Sequence, residues 1–187
     1  MDSVIAIVTI EGLSPLSQSI YVPNEKKPKE SQEEYDLRIW EKKAEFNKDG
    51  KLVLHQMAFR KSLETAGSRL GIKIKGKGSQ TYTKCFRSGI LILEKPICNV
   101  GREEMKMTSI YMPIDKKGTR LMLNYPIWYK WECTIELTIL DTSITKDVLI
   151  QHVEEAGAFT GLGRWRPERG GVNGRFRLKD LEWIVNE

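Results

Sequence analysis

Over residues 131–140 the chain alternates with a period of two. Trp131, Cys133, Ile135, Leu137 and Ile139 are apolar, and Glu132, Thr134, Glu136 and Thr138 lie between them. Successive side chains of a strand point to opposite faces, so this segment belongs to a sheet with one buried and one wet face. The buried face needs an apolar cover, and two stretches with helical spacing supply it. Over residues 56–70, Phe59, Leu63, Ala66 and Leu70 recur at steps of four, three and four, and Gly71 is a natural stop. A second helix is expected after Thr145 as its N-cap, with Leu149, Val153 and Ala156 on one face and Gly157 as its end.

The remaining strands are shorter. Residues 3–11 form a nearly continuous apolar run, which suits a central strand; residues 88–94 read as another, and a last strand is expected over about 174–178. Taken in order, the elements are strand, helix, strand, strand, helix, strand. The expected fold class is therefore α+β, a ferredoxin-like (RRM-like) β-α-β-β-α-β core with two helices on one face of an antiparallel sheet. The rest reads as two insertions, about 14–50 and 96–128, within a single domain spanning 1–187. In the first, an exposed loop over 15–30 leads into Ser31-Gln32-Glu33-Glu34, a capping box that opens a helix to about residue 43 with Tyr35 and Ile39 on one side. Asn47-Lys48-Asp49-Gly50 is then a turn. In the second, short strands are expected near 109–113 and 120–124.

A chain of 187 residues is long enough for one sizeable core. No apolar run approaches the roughly 18 residues that cross a bilayer, and the N-terminus lacks a basic start and cleavage site, so neither a membrane span nor a signal peptide is expected. Cys85, Cys98 and Cys133 are odd in number and stand at no metal-ligand spacing. They read as free thiols, which points to a cytoplasmic location. No cluster of His and carboxylates, Ser-His-Asp order or phosphate-binding Gly-Lys loop stands out, so no metal and no cofactor are expected.

The net charge is +5, from 30 Lys and Arg against 25 Asp and Glu, and its distribution matters more than its size. No acidic residue occurs between Glu64 and Glu94, where Arg69, Lys73, Lys75, Lys77, Lys84 and Arg87 all fall. A second cluster, Arg164, Arg166, Arg169, Arg175 and Arg177, is interrupted only by Glu168. Segregated positive charge suits a polyanion, although such clusters are also often plain solvated surface. The second cluster lies in a segment with Gly157, Gly161, Gly163, Gly170, Gly171 and Gly174, where a backbone free of side chains can approach a ligand. Its arginines can hold phosphate through two N–H groups at once, and Trp165 between Arg164 and Arg166 could stack on an unpaired base.

This segment joins the last helix to the last strand, and there the chain resembles the RAMP superfamily, the ferredoxin-like, glycine-rich-loop RNA-binding subunits of CRISPR effector complexes. Gly161-Leu162-Gly163-Arg164 and Gly171-Val172-Asn173-Gly174-Arg175-Phe176 carry the likeness. A second match is Leu52-Val53-Leu54 leading through His55-Gln56-Met57-Ala58-Phe59-Arg60-Lys61-Ser62-Leu63, a strand and polar turn that open a helix with a basic residue. The family often has a Ser-Ser pair at that turn, where His55-Gln56 stands. The likeness covers the core, about half of the chain, and leaves both insertions unmatched.

The resemblance implies an RNA-binding protein with no catalytic residue that holds the backbone of single-stranded, guide-like RNA in antiviral defence. It would be a CRISPR effector backbone subunit or a phage-encoded homologue. The RNA-binding residues would be His55, Gln56 and Lys61, then Lys73, Lys75, Lys77 and Lys84 on one basic loop, then Gly161, Gly163, Arg164, Trp165, Arg166, Arg169, Gly174 and Arg175, the two loops flanking one groove. Partners would be single-stranded RNA and either other copies of the chain or CRISPR effector subunits; phosphate contacts would serve single-stranded DNA as well. Glu132 and Glu136 stand where an RRM sheet carries stacking aromatics, which argues for a loop-lined groove rather than the sheet face. Alternatives are a phage-encoded inhibitor of a CRISPR complex, a metal-independent endoribonuclease using His55 as general base, and a self-assembling structural protein clasped by its Gly-Arg loop. His152, beside the apolar stripe of its helix, reads as structural. Trp128, Tyr129 and Trp131 are candidates for an interface, with core packing the expected fate of Trp131.

Overall fold

The computed structural model describes residues 4–23, 25–113, 118 and 120–185. Along the chain it places β1 (Val4–Gly12), β2 (Leu16–Ser17), α1 (Gln32–Ile39), β3 (Lys51–Val53), α2 (Gln56–Leu70), α3 (Thr83–Ser88), β4 (Ile90–Leu91) and β5 (Ile97–Gly101). There follow β6 (Lys106–Pro113), β7 (Arg120–Trp128), β8 (Glu132–Ile139), α4 (Lys146–Glu155) and β9 (Phe176–Val185). The architecture is α+β with antiparallel sheets.

The main sheet has the order β3-β5-β8-β1-β9, with β4 on the same edge of β8 as β5. Its period-two strand does what the pattern requires. Cys133, Ile135, Leu137 and Ile139 are buried, and across the register Ala6, Val8 and Ile10 of β1 face the same way. The apolar stripe of α2 (Phe59, Leu63, Ala66) and that of α4 (Leu149, Val153) join them in one core cluster. Each fully buried aliphatic or aromatic side chain contributes about 1.5–3 kcal/mol, so this layer is the main source of stability. The opposite face is open. Its rows run Glu136–Ile7–Glu182 and Thr134–Thr9–Asp180, and Glu136, Asp180 and Glu182 make no ion pair among the described residues.

The second sheet, β2-β7-β6, is a long hairpin with one short added strand. Helix α1 and a 3₁₀ turn over Trp40–Lys43 pack against it. The capping box at α1 is present: the Glu34 N–H donates to Ser31 Oγ at 3.2 Å, and the Ser31 N–H to Glu34 Oε2 at 2.7 Å. What locks the helix to the sheet is buried charge. Lys43 Nζ donates to Asp36 Oδ1 and, at 2.7 Å, to the Asn124 carbonyl, while the Asn124 N–H donates to Asp36 Oδ2.

Several elements differ from the sequence reading. Residues 97–101, read as part of an insertion, are a strand of the main sheet, whereas 88–94 is a strand only at Ile90–Leu91. The six-residue α3 was not foreseen. The segment 15–30, read as an exposed loop, is buried at its start, where Leu16 and Ser17 pair with Trp128 and Ile127. The last strand runs ten residues, to Val185. Gly157 does not end α4. The helix continues through a wider π turn over Ala156–Thr160, and Gly157 is there because the Phe176 carbonyl lies 2.1 Å from where a Cβ would sit. Trp128 and Trp131 are both core residues, which leaves only Tyr129 of that trio exposed.

Candidate nucleic-acid interface

Helix α2 begins at the end of β3, and its N-terminal turn faces the glycine-rich loop across two adjoining clefts. One, of about 480 Å³, is lined by Gln18, Ser19, Ile20, Leu54, His55 and Ala58 on one side and Gly163, Arg164, Trp165, Arg166 and Arg169 on the other. The next, of about 300 Å³, shares His55, Ala58, Gly163 and Arg166 and adds Met57, Lys61, Ser62, Gly161 and Glu168. A 15-residue helix presents a partial positive charge at this end, which favours an anion beside it.

His55 is the N-cap of α2, its Nδ1 accepting the Met57 N–H at 3.1 Å. That bond occupies the Nδ1 lone pair and assigns the neutral ring its proton to Nε2, so His55 offers the cleft a donor rather than a base. Gln56 is turned aside, donating through Nε2 to the Leu93 carbonyl at 3.0 Å. Lys61 stands exposed at the second cleft, 3.1 Å from Glu64.

The loop wall is built from the inside out. Gly174 sits at φ +72°, and a Cβ there would lie 1.8 Å from the Leu162 carbonyl. The close approach lets the Leu162 N–H donate to the Gly174 carbonyl at 2.9 Å and the Gly174 N–H to that of Pro15 at 2.7 Å. The Arg164 N–H donates to the Ser17 carbonyl at 2.7 Å, so the loop is pinned to β2 as well. Glycine in this loop therefore serves close packing of the loop on its own chain.

The arginines divide into two kinds. Arg164 lies over the Tyr125 ring at 3.8 Å, donates to the Tyr125 hydroxyl at 2.7 Å, and lies 4.6 Å from the Trp165 ring centre. Burial raises the Tyr125 hydroxyl above its usual range, and Arg164 pulls against that shift, so the phenol stays protonated and accepts the guanidinium. Arg175 turns inward and donates to the Ala158 carbonyl. These two hold the loop. Arg166 is half-buried and paired with Glu168 at 2.7 Å, and Arg169 is exposed with no partner among the described residues. Both line the cleft, Arg166 with its charge shared with Glu168 and a further bond to the Gly163 carbonyl at 3.3 Å, Arg169 with its charge unpaired among the described residues. Trp165 adopts φ +52°, rare for a bulky residue, with its carbonyl accepting the Asn173 N–H at 2.9 Å and its ring edge-on to Tyr125.

The expectation that the lysine loop and the glycine-rich loop flank one groove is not met. Lys73, Lys75 and Lys77 come after the C-terminal end of α2, a helix about 22 Å long, Lys84 lies on α3 packed beside the last turn of α2, and none of the four lines either cleft. Lys77 donates to Ser143 Oγ at 2.6 Å. Conversely, Tyr125, Gln18 and Ile20 belong to the site and were not read from the sequence. His152 is buried between Tyr82 and Phe86, with Nδ1 2.7 Å from the Val148 carbonyl, away from both clefts. Among the described residues there is no group of His, Cys, Asp and Glu able to hold a metal ion, and no helix long and apolar enough to cross a membrane.

No protein-family model matches the sequence, and no curated protein matches it. Among solved structures the chain is similar to one described as a cryo-EM structure of the Type III-B Cmr-beta bound to cognate target RNA, at a TM-score of 0.64 and 11% identity. The likeness covers 98% of this chain and 61% of that one, so this chain spans about three-fifths of the length of its match. At that identity, what the two chains share is the fold.

Proposed function

We propose that this chain is a RAMP-like, non-catalytic RNA-binding protein that holds the backbone of a single strand in the cleft between the α2 N-terminus and the glycine-rich loop. The observation that carries the reading is the cleft itself. A helix N-terminus, the His55 ring and the guanidinium groups of Arg166 and Arg169 converge there, with Trp165 beside them. Phosphates need such donors, and an aromatic beside them can take a base by stacking without reading sequence. The open sheet face is unsuited to a polyanion, since it carries Glu136, Asp180 and Glu182 unpaired among the described residues.

Two further points support the family. The chain order β1, α2, β4 with β5, β8, α4, β9, and the sheet neighbours β5-β8-β1-β9, suit a ferredoxin-like core with insertions. The similar solved structure is described as an RNA-bound CRISPR assembly, which makes RNA and the subunits of such a complex the natural partners. The proton on His55 Nε2 favours binding over strand cleavage, because a general base needs its lone pair free.

The purified protein is expected to retain nucleic acid, seen as a raised 260/280 nm absorbance ratio that RNase alone removes. Single-stranded RNA incubated with it should remain full-length. A low ratio, with no salt-sensitive binding when RNA is added back, overturns the proposal; cleaved RNA that a His55→Ala variant leaves intact overturns its non-catalytic half.

A further inference from the structure

The main sheet has a narrow seam. Strand β5 joins β8 through only two residue pairs, Ile97 with Thr134 and Cys98 with Cys133, and β3 reaches the rest of the sheet only through β5. One side-chain bond extends the seam, from the Glu132 N–H to Asn99 Oδ1 at 2.8 Å. Facing residues of an antiparallel pair have Cα atoms about 4.5–5.5 Å apart, within the span of about 4.4–6.8 Å that a disulfide bridges. Cys98 and Cys133 both point into the core, 1% and 0% exposed, and stand directly opposite each other across the register.

We propose that Cys98 and Cys133 are a redox modification site, at which a small two-electron thiol oxidant of the diamide or glutathione-disulfide class closes a cross-strand disulfide that staples β5 to β8. The step balances simply. One thiolate attacks the oxidant to form a covalent adduct, and the second displaces the reduced oxidant from it. Two S–H bonds break and one S–S bond forms. The two electrons and two protons pass to the azo group of diamide, giving the hydrazine, or to glutathione disulfide, giving two thiols.

Oxidant reaches the buried sulfurs when the seam opens, and a junction of two residue pairs is where local opening is expected. Burial raises the Cys133 thiol well above its usual range, so the reaction is slow at neutral pH and quickens as pH rises. The third thiol stays out of it. Burial, together with the Asp141 carboxylate, pushes Cys85 up to about 11, and it belongs to the separate element α3.

The test uses the native full chain treated with diamide, then denatured for thiol counting and peptide mapping. Free thiols are expected to fall from three to one, with a mass loss of about 2 Da and a Cys98–Cys133 peptide. The oxidised protein should melt higher than the reduced one, and amide exchange over residues 51–53 and 97–101 should slow. A Cys85→Ser variant should behave as wild type, and Cys98→Ala should form no intramolecular bridge. Three thiols remaining after prolonged treatment at pH 8.5, a bridge that includes Cys85, or only chain-to-chain disulfides overturn the proposal. None of these readouts depends on RNA.

Discussion

Replacing Asp36 by alanine is expected to destabilise the protein by about 3–5 kcal/mol, because it strands a buried ammonium group. Lys43 is 6% exposed and Asp36 4% exposed. Without the carboxylate, Lys43 Nζ keeps the Asn124 carbonyl and the Tyr125 ring face at 4.2 Å, but no counter-charge, and the Asn124 N–H has no acceptor. At about 2–4 °C per kcal/mol for a chain of this size, the melting temperature should drop by about 6–20 °C. The double replacement Asp36→Leu, Lys43→Met should recover much of that drop, since neither charge is then buried. Urea unfolding of the three proteins decides the matter: an Asp36→Ala variant within about 1 kcal/mol of wild type would mean the pair is solvated. The effect should reach the cleft as well, because Tyr125 has Lys43 over its ring and Arg164 over it too.

Gly174→Ala is expected to cost about 2–6 kcal/mol, from backbone strain at positive φ plus two hydrogen bonds that must open to clear the Leu162 carbonyl. Gly170→Ala separates the two causes. Its φ is +75°, but nothing lies within 4 Å of the added Cβ, so only the left-handed backbone cost of about 1–2 kcal/mol remains. Thermal melts should therefore show a large drop for Gly174→Ala and a small one for Gly170→Ala. Equal drops would mean that φ, and not the close approach of loop to loop, dominates.

Much of the layered core was legible because it rests on repetition. The alternation over 131–139, the stripe through Phe59, Leu63 and Ala66, and the capping box at Ser31 each repeat a local rule that burial then satisfies. What escaped was short or long-range. Helix α3 has only six residues, and β5 alternates over five and touches β8 at two pairs, so neither leaves a periodic trace. The need for glycine at 157 comes from the Phe176 carbonyl, 19 positions away, which lies 2.1 Å from where a Cβ would sit.

The cleft was half legible for a related reason. His55 and the Gly161–Gly163–Arg166 stretch announce themselves locally, but Gln18, Ile20 and Tyr125 arrive from elsewhere in the chain. Charge clustering shows sign and not place. Lys73 to Lys84 looked like the second wall of a groove, and the length of α2 carries them to its far end. Nor did the arginine cluster reveal that Arg164 and Arg175 are tied to Tyr125 and Ala158, while Arg166 and Arg169 face the cleft.

The most direct test of the cleft as an RNA site is the salt dependence of binding to a fluorescent single-stranded RNA, measured by anisotropy. Wild type is compared with Arg166→Ala/Arg169→Ala and with Lys73→Ala/Lys75→Ala. Removing one cation that neutralises a phosphate lowers the slope of log K against log salt by about one. The arginine pair should flatten the slope by about two and weaken binding across all sequences alike, whereas the lysine pair should leave the slope nearly unchanged. An unchanged slope for the arginine pair, or a larger effect from the lysine pair, would contradict the assignment of RNA to this cleft.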